Sequence, residues 1–277
     1  MEQFDFWKDL NKPEWMDKHA PSYLTLMGSQ AYGTATPDSD YDFYGFVIPP
    51  AEVVFPHLAG DIPHFGKQKN LFNQLQIQGQ DSEDWGEVDI TVYNIARYFH
   101  LVMDGNPNMI DSLFTPDDCV VVLDNVGQMV RDNREIFLSQ KMYHTFRGMA
   151  YHHMKRITSR TREGKRKEYV EKYGYDVKDA ANVIRILLEL DDFLFFGDCD
   201  LSSNADDILS VRNGEWTLKH VEDFFDDRMF ELERAKLNKE FVLPEHPDQD
   251  EIKKFLVACL EESYGNLRHL SWGIFGD

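Results

Sequence analysis

The period of the hydrophobic residues changes once along this chain, near residue 133, and that change limits the fold more than any other feature. Between Tyr23 and Leu123, five short runs rich in β-branched and aromatic residues, YLTLMGS, YDFYGFVI, LFNQLQIQ, EVDITVY and CVVVL, are bounded by Gly, Pro, Asp or Asn and predict strands. Two helices are predicted among them: NIARYFHLVMDGN, closed by Gly105, and PNMIDSLF, with Pro107 at a first-turn position. From about Asn133 the period becomes helical, through KMYHTFRGMAYHHMKRITSR, DVKDAANVIRILLELDDFLFF, TLKHVEDFFDDRMFELERAKL and EIKKFLVACLEESYGNL. The expectation is an α+β protein: a sheet with helices packed on it over residues 1–132, followed by a helical domain over 133–277. Residues 51–84, with several Pro and Gly and one strand, read as an insertion in the first part. The last two amphipathic helices either finish the helical domain or form a dimer face.

A chain of 277 residues, 42% hydrophobic, can bury one large core or two modest ones. No run approaches the ~20 apolar residues of a membrane span, and MEQFDFWKDLNKPEW lacks the basic-then-apolar order of a signal peptide, so a cytoplasmic protein without membrane partners is expected. Cys119, Cys199 and Cys259 are far apart and outside metal-ligand spacing, which predicts reduced core residues and no zinc. The formal charge of -20, from 49 acidic and 29 basic side chains, argues against nucleic-acid binding by the whole surface. One window runs the other way: Lys155 to Lys172 also holds Arg156, Arg160, Arg162, Lys165, Arg166 and Lys167. It reads either as a solvated, self-paired segment or as the entry path of a polyphosphate or nucleic-acid substrate.

The chemistry is concentrated in GSQAYGTATPDSDYDFYG, Gly28 to Gly45. In a strand, Asp40 and Asp42 project from one face. Two carboxylates so close repel and raise each other's pKa unless a cation lies between them, and Mg²⁺ accepts a few hard oxygen ligands, with water and phosphates filling the rest. EVDITVY offers a third carboxylate in Asp89, with Glu87 a lesser candidate on the same face. The Gly28-Ser29 pair, after a strand and before a short helical turn, lets backbone N–H groups and a hydroxyl approach phosphate oxygens.

At these residues the chain resembles the DNA polymerase β-like nucleotidyltransferase superfamily, with its Gly-Ser turn, Asp-x-Asp on the next strand and a third acidic residue on a later one. Within it, the wording is similar to a bacterial and phage branch associated with RNA repair. GSQAYGT…SDYDFYG, VDIT (Val88 to Thr91), GNPNMIDSLF (Gly105 to Phe114) and KYGYDVKDAANVIR (Lys172 to Arg185) stand in the same order, and the resemblance spans roughly Tyr23 to Phe196. It implies a polymerase β-like core of mixed sheet and flanking helices, in which Gly28 and Ser29 hold a nucleoside triphosphate. It also implies that Asp40, Asp42 and Asp89 bind two Mg²⁺ or Mn²⁺ ions, Asp89 helping to deprotonate the acceptor hydroxyl. The family's later lysine matches Lys178, for the β- and γ-phosphates, and its arginine matches Arg185.

Each of these residues has a plainer reading. Lys178, Asn182, Arg185, Glu189 and Asp192 fall on one helical stripe, which taken alone is a solvated face. Tyr32 and Thr34 either shape the turn or contact ligand. Asn106, Asn108 and Asp111 read as capping and locking a helix start. His152 and His153, adjacent on a helix, point ~100° apart and read as surface or core histidines. The resulting expectation is a nucleotidyltransferase that moves a nucleoside monophosphate from an NTP to a hydroxyl, an RNA 3′ end being one acceptor. The alternatives are a protein acceptor, as in an AMPylase, and a nucleotide-binding regulator without turnover.

Overall fold

The computed structural model describes residues 7, 10–37, 39–55, 58, 71–82, 85–158 and 164–265. Five strands, β1 (Tyr23–Leu26), β2 (Tyr41–Val47), β3 (Gln74–Ser82), β4 (Gly86–Asn94) and β5 (Val120–Leu123), form one sheet in the order β3-β4-β2-β1-β5. All five lie where the apolar runs predict them. The sheet is mixed: β2 and β4 are parallel, and the other pairs antiparallel. The α+β class is therefore the observed one.

β1, between β2 and β5, is buried along its whole length. Its polar side chains are accordingly bonded. The Tyr23 hydroxyl donates to the Ser112 carbonyl at 2.6 Å, and Thr25 Oγ1 lies 2.7 Å from Thr115 Oγ1. At Gly45 of β2, a Cβ would stand 1.9 Å from the Tyr23 carbonyl oxygen, so only glycine permits this strand approach. β5 is one edge strand and β3 the other. Its glutamines alternate with Leu75 and Ile77, and a bulge between Ile77 and Gln80 holds Gly79 at φ +63°.

Helices α1 (Ala51–Val54), α2 (Ile95–Met103), α3 (Pro107–Phe114) and α4 (Asn125–Asp132) accompany the sheet. Asn94 caps α2 through Ala96 N–H, and Asn106 caps α3 through Met109 N–H with Pro107 in its first turn. α4 is not legible in the sequence, because Gly127 in its interior reads as a breaker. Its Cα instead lies against the chain at Ser22, where a Cβ would be 2.3 Å from the carbonyl oxygen.

Beyond it run α5 (Lys141–Arg156), α6 (Lys165–Tyr173), α7 (Val177–Phe196), α8 (Ala205–Arg212), α9 (Leu218–Asn238) and α10 (Gln249–Tyr264). α7 is the centre of this part: it buries Ala180, Ile184, Leu187, Leu190 and Phe193 among others, and stops at Gly197, φ +72°. α10 turns back onto the sheet half, where Phe255 stacks on Phe99 with ring centroids 5.8 Å apart. One cluster of buried side chains runs from Leu10 through the sheet and α7 to Cys259. Cys119, Cys199 and Cys259 are free and buried, as expected. Among the described residues, no helix is long and apolar enough to cross a membrane.

Candidate active site

β1 leads directly into the Gly-Ser turn. Met27 N–H donates to the Asp42 carbonyl at 2.8 Å, which holds the exit of β1 against β2. Gly28 follows at φ +63°, and a single helical turn closes with Tyr32 N–H on the Gly28 carbonyl (3.1 Å) and Thr34 N–H on the Ser29 carbonyl (2.9 Å). A Cβ on Gly28 would lie 2.7 Å from Asp42 Oδ2. The carboxylate thus rests against a bare Cα, in space that any other residue would fill.

Asp42 stands directly opposite Asp89 in the parallel β2–β4 register, so the two project from the same face of the sheet. Asp40 lies just before β2 and not within it, a correction to the expectation of a strand through both aspartates. Burial raises the Asp42 pKa, and the charges of Asp89 and Asp40 raise it further, with Lys178 opposing. Asp89 is already engaged: its Oδ1 accepts the N–H of Gly79 from the β3 bulge at 2.8 Å. Glu87 pairs across the sheet edge with Asp81 and is exposed. Among the described residues, no three His, Cys, Asp or Glu side chains converge closely enough to enclose an ion by themselves.

A cleft of about 390 Å³ opens beside the turn. Gly28, Ser29, Asp40 and Asp42 form one wall, and Lys178, Asn182 and Arg185 of α7 the other, with Tyr169 of α6 and Ile208 and Arg212 of α8 closing it. Six of the seven sequence-predicted residues thus line one space, while Asp89 stands on the neighbouring strand outside the lining. Burial, then the charges of Arg166 and Arg212, lower the Lys178 pKa, against Asp40 and Asp42. The start of α7 is fixed by Asp176, whose carboxylate accepts from the N–H groups of Lys178 and Asp179 and is bound by Arg166 at 2.8 Å.

The middle of the α7 stripe is not a solvated face. Arg185 and Glu189 are 5% and 2% exposed. The Arg185 guanidinium donates to both Glu189 oxygens (2.9 and 2.7 Å) and to Asp111 Oδ2 (2.9 Å), which also accepts from the Tyr32 hydroxyl at 2.9 Å. The same guanidinium lies 4.1 Å from the Tyr32 ring centroid. Tyr32 therefore ties the turn to α3 and α7, and Asp111 does more than secure a helix start. Burial pushes Glu189 up to about 8 and raises Asp111, because one guanidinium faces two desolvated carboxylates.

His153 Nδ1 meets Asp179 Oδ1 at 2.9 Å and His152 meets Arg156, in keeping with structural histidines. Of the basic window, Arg166 is paired with Asp176 and Lys167 with Glu171. Arg160, Arg162 and the side chain of Lys165 lie outside the described residues. Sequence reasoning missed Tyr169, Ile208 and Arg212. ADDILSVR is too short and too mixed in polarity to signal a helix, let alone one wall of a cleft.

A mixed sheet flanked by helices, with a Gly-Ser turn packed against paired strand carboxylates, is the architecture of a polymerase β-like nucleotidyltransferase core. The chain belongs to the RNA repair pathway DNA polymerase beta family, whose model matches residues 5–194. That membership supports a nucleotidyltransferase-type function. The chain is also similar to an uncharacterized 38.9 kDa protein from the nrdC-mobD intergenic region of Enterobacteria phage T4: 34% identity over 121 residues, 43% of this chain and 33% of that protein. The aligned part spans about a third of the length of this curated relative.

Proposed function

We propose that this protein transfers a nucleoside monophosphate from an NTP to a hydroxyl acceptor, with an RNA 3′ end as the acceptor. The observation that carries the reading is the contact of Gly28 with Asp42 in a cleft that also holds Ser29, Asp40 and Lys178. A turn that can present N–H groups, two carboxylates and a lysine then face one ligand-sized space. In this reading residues 1–132, with 51–84 inserted, form the catalytic domain, and 133–277 form a helical domain that contributes the lysine.

The donor set suits a divalent cation. It offers only carboxylate oxygens, with Asp42 driven toward the neutral acid by burial and its like-charged neighbours. Asp40, Asp42 and Asp89 would hold two Mg²⁺ or Mn²⁺ ions. Bound there, the ions supply charge neutralisation at the transferred and leaving phosphates. Gly28, Ser29 and Lys178 bind and orient the triphosphate so that the acceptor oxygen is in line with the α-phosphorus. The acceptor O–P bond forms, the bond from the α-phosphorus to the α–β bridging oxygen breaks, and pyrophosphate leaves. The acceptor proton passes to Asp89 Oδ2. Arg185 lies at the cleft floor and holds the turn through Asp111 and Tyr32.

The charge of -20 favours a second acceptor, a protein, because an acidic surface does not attract RNA. Incubation with each α-labelled NTP, Mg²⁺, and a mixture of RNA and protein tests both readings beside the Asp40→Ala, Asp42→Ala double variant. Label entering RNA and lost in the variant is the expected result. Label entering protein replaces the acceptor, and no label in either rejects the transferase.

A further inference from the structure

The family resemblance points to Arg185 as the arginine for the triphosphate, but its guanidinium is already engaged. It is bound at 2.7–2.9 Å by Glu189 and Asp111 in a buried cluster, with its Nε left without a partner among the described residues. A guanidinium whose Nη1 donor is already held by Glu189 and Asp111 in a buried cluster is poorly placed to turn to a phosphate, and drawing it away would leave both acids buried and unpaired.

A second guanidinium enters the same cleft from α8. Arg212 is half-buried, and among the described residues it bonds Thr34 alone, donating to the carbonyl oxygen at 2.9 Å and reaching the hydroxyl at 3.4 Å. Both partners are neutral. Thr34 ends the helical turn that begins at Gly28, and α8 packs beside it: a Cβ on Gly33 would lie 3.4 Å from that of Ala205. Arg212 is thus held at the end of the Gly-Ser turn with no carboxylate paired to it among the described residues, and its charge lowers the Lys178 pKa across the cleft. Lys178 and Arg212 repel across one cavity; Asp40 and Asp42 on its other wall are the carboxylates assigned to cations, which leaves the two bases for an anion.

We infer that Arg212, and not Arg185, is the arginine that binds the phosphates of the nucleotide, acting together with Lys178 and the Gly28-Ser29 turn. The inference rests on the nucleotide-binding reading above and deepens it. It assigns the role to a residue beyond the segment that the family model matches. Arg212 reaches the turn across 178 residues of sequence.

Calorimetric binding of ATP, CTP, GTP and UTP, and of the four monophosphates, with Mg²⁺ present tests it on wild type, Arg212→Gln and Arg212→Lys. Glutamine keeps an N–H donor for the Thr34 carbonyl and removes the charge, whereas lysine keeps the charge. The expected result is that Arg212→Gln weakens triphosphate binding at least about tenfold and leaves monophosphate binding within about twofold, while Arg212→Lys retains most of the triphosphate affinity. Triphosphate binding by Arg212→Gln equal to wild type, or an equal loss for mono- and triphosphate, overturns the inference and leaves the nucleotide site standing. A wild-type protein that binds none of the four triphosphates overturns both.

Discussion

At Asp42, burial and two neighbouring carboxylates all favour the neutral acid. The folded pKa is raised, so the folded state holds its proton at pH values where the unfolded chain has lost it. The stability that this group contributes therefore falls as pH rises from the ordinary value of 3.8 through the raised one. Asp42→Asn is expected to lower transfer at least about a hundredfold while leaving the thermal midpoint at or above that of wild type, read by melting beside the activity assay. Mg²⁺ should raise the wild-type midpoint and not that of the variant, since only the former gains a ligand on folding. Gly28 carries a different constraint. Alanine there is strained at φ +63° and drives a methyl to 2.7 Å from Asp42 Oδ2. Gly28→Ala should cost about 1 kcal/mol or more in urea unfolding, and should lose activity through a displaced Asp42.

At the scale of elements, the turn after β1, α3 and α7 are locked by Tyr32, Asp111, Arg185 and Glu189. Breaking this cluster on one side is expensive, so Arg185→Met is expected to destabilise by about 3–5 kcal/mol in chemical unfolding. Glu189 adds a pH dependence. Between its ordinary 4.5 and the folded value of about 8, the folded protein keeps a proton that the unfolded chain releases. Unfolding free energy should accordingly decline with rising pH across that window, and the group adds no slope on either side of it. Glu189→Gln removes the titration, so urea melts from about pH 5 to about pH 8 should give a flatter profile than wild type.

Over the described residues, the core is one cluster from the sheet to α10, although α10 is the last element among them. Ile252 and Cys259 are buried, Phe255 covers Phe99, and the Tyr264 hydroxyl reaches the Pro49 carbonyl on the sheet half. Truncation after residue 248 should therefore cost several kcal/mol and lower the midpoint well beyond what losing a peripheral helix would do. Of the last helices, α9 packs on α7, where Met229 and Leu232 are buried, and α10 on the sheet half.

The sequence by itself determined the five strands, the α3 cap, and the neighbourhood of Gly28, Asp40 and Asp42, because alternation, capping and a tight turn are local properties of a few consecutive residues. It also offered Asp89 as a third carboxylate on another strand, and the parallel β2–β4 register sets that residue opposite Asp42. It left the helix of Gly127 unread, where a close approach to Ser22 and not helix propensity sets the residue. It marked Arg185 by resemblance and gave no sign of Arg212. Only packing shows that Arg185 meets Glu189 and Asp111 while Arg212 meets Thr34. Partner choice among charged side chains depends on which distant segments the fold brings together and how much water it removes, and that is decided by tertiary structure alone.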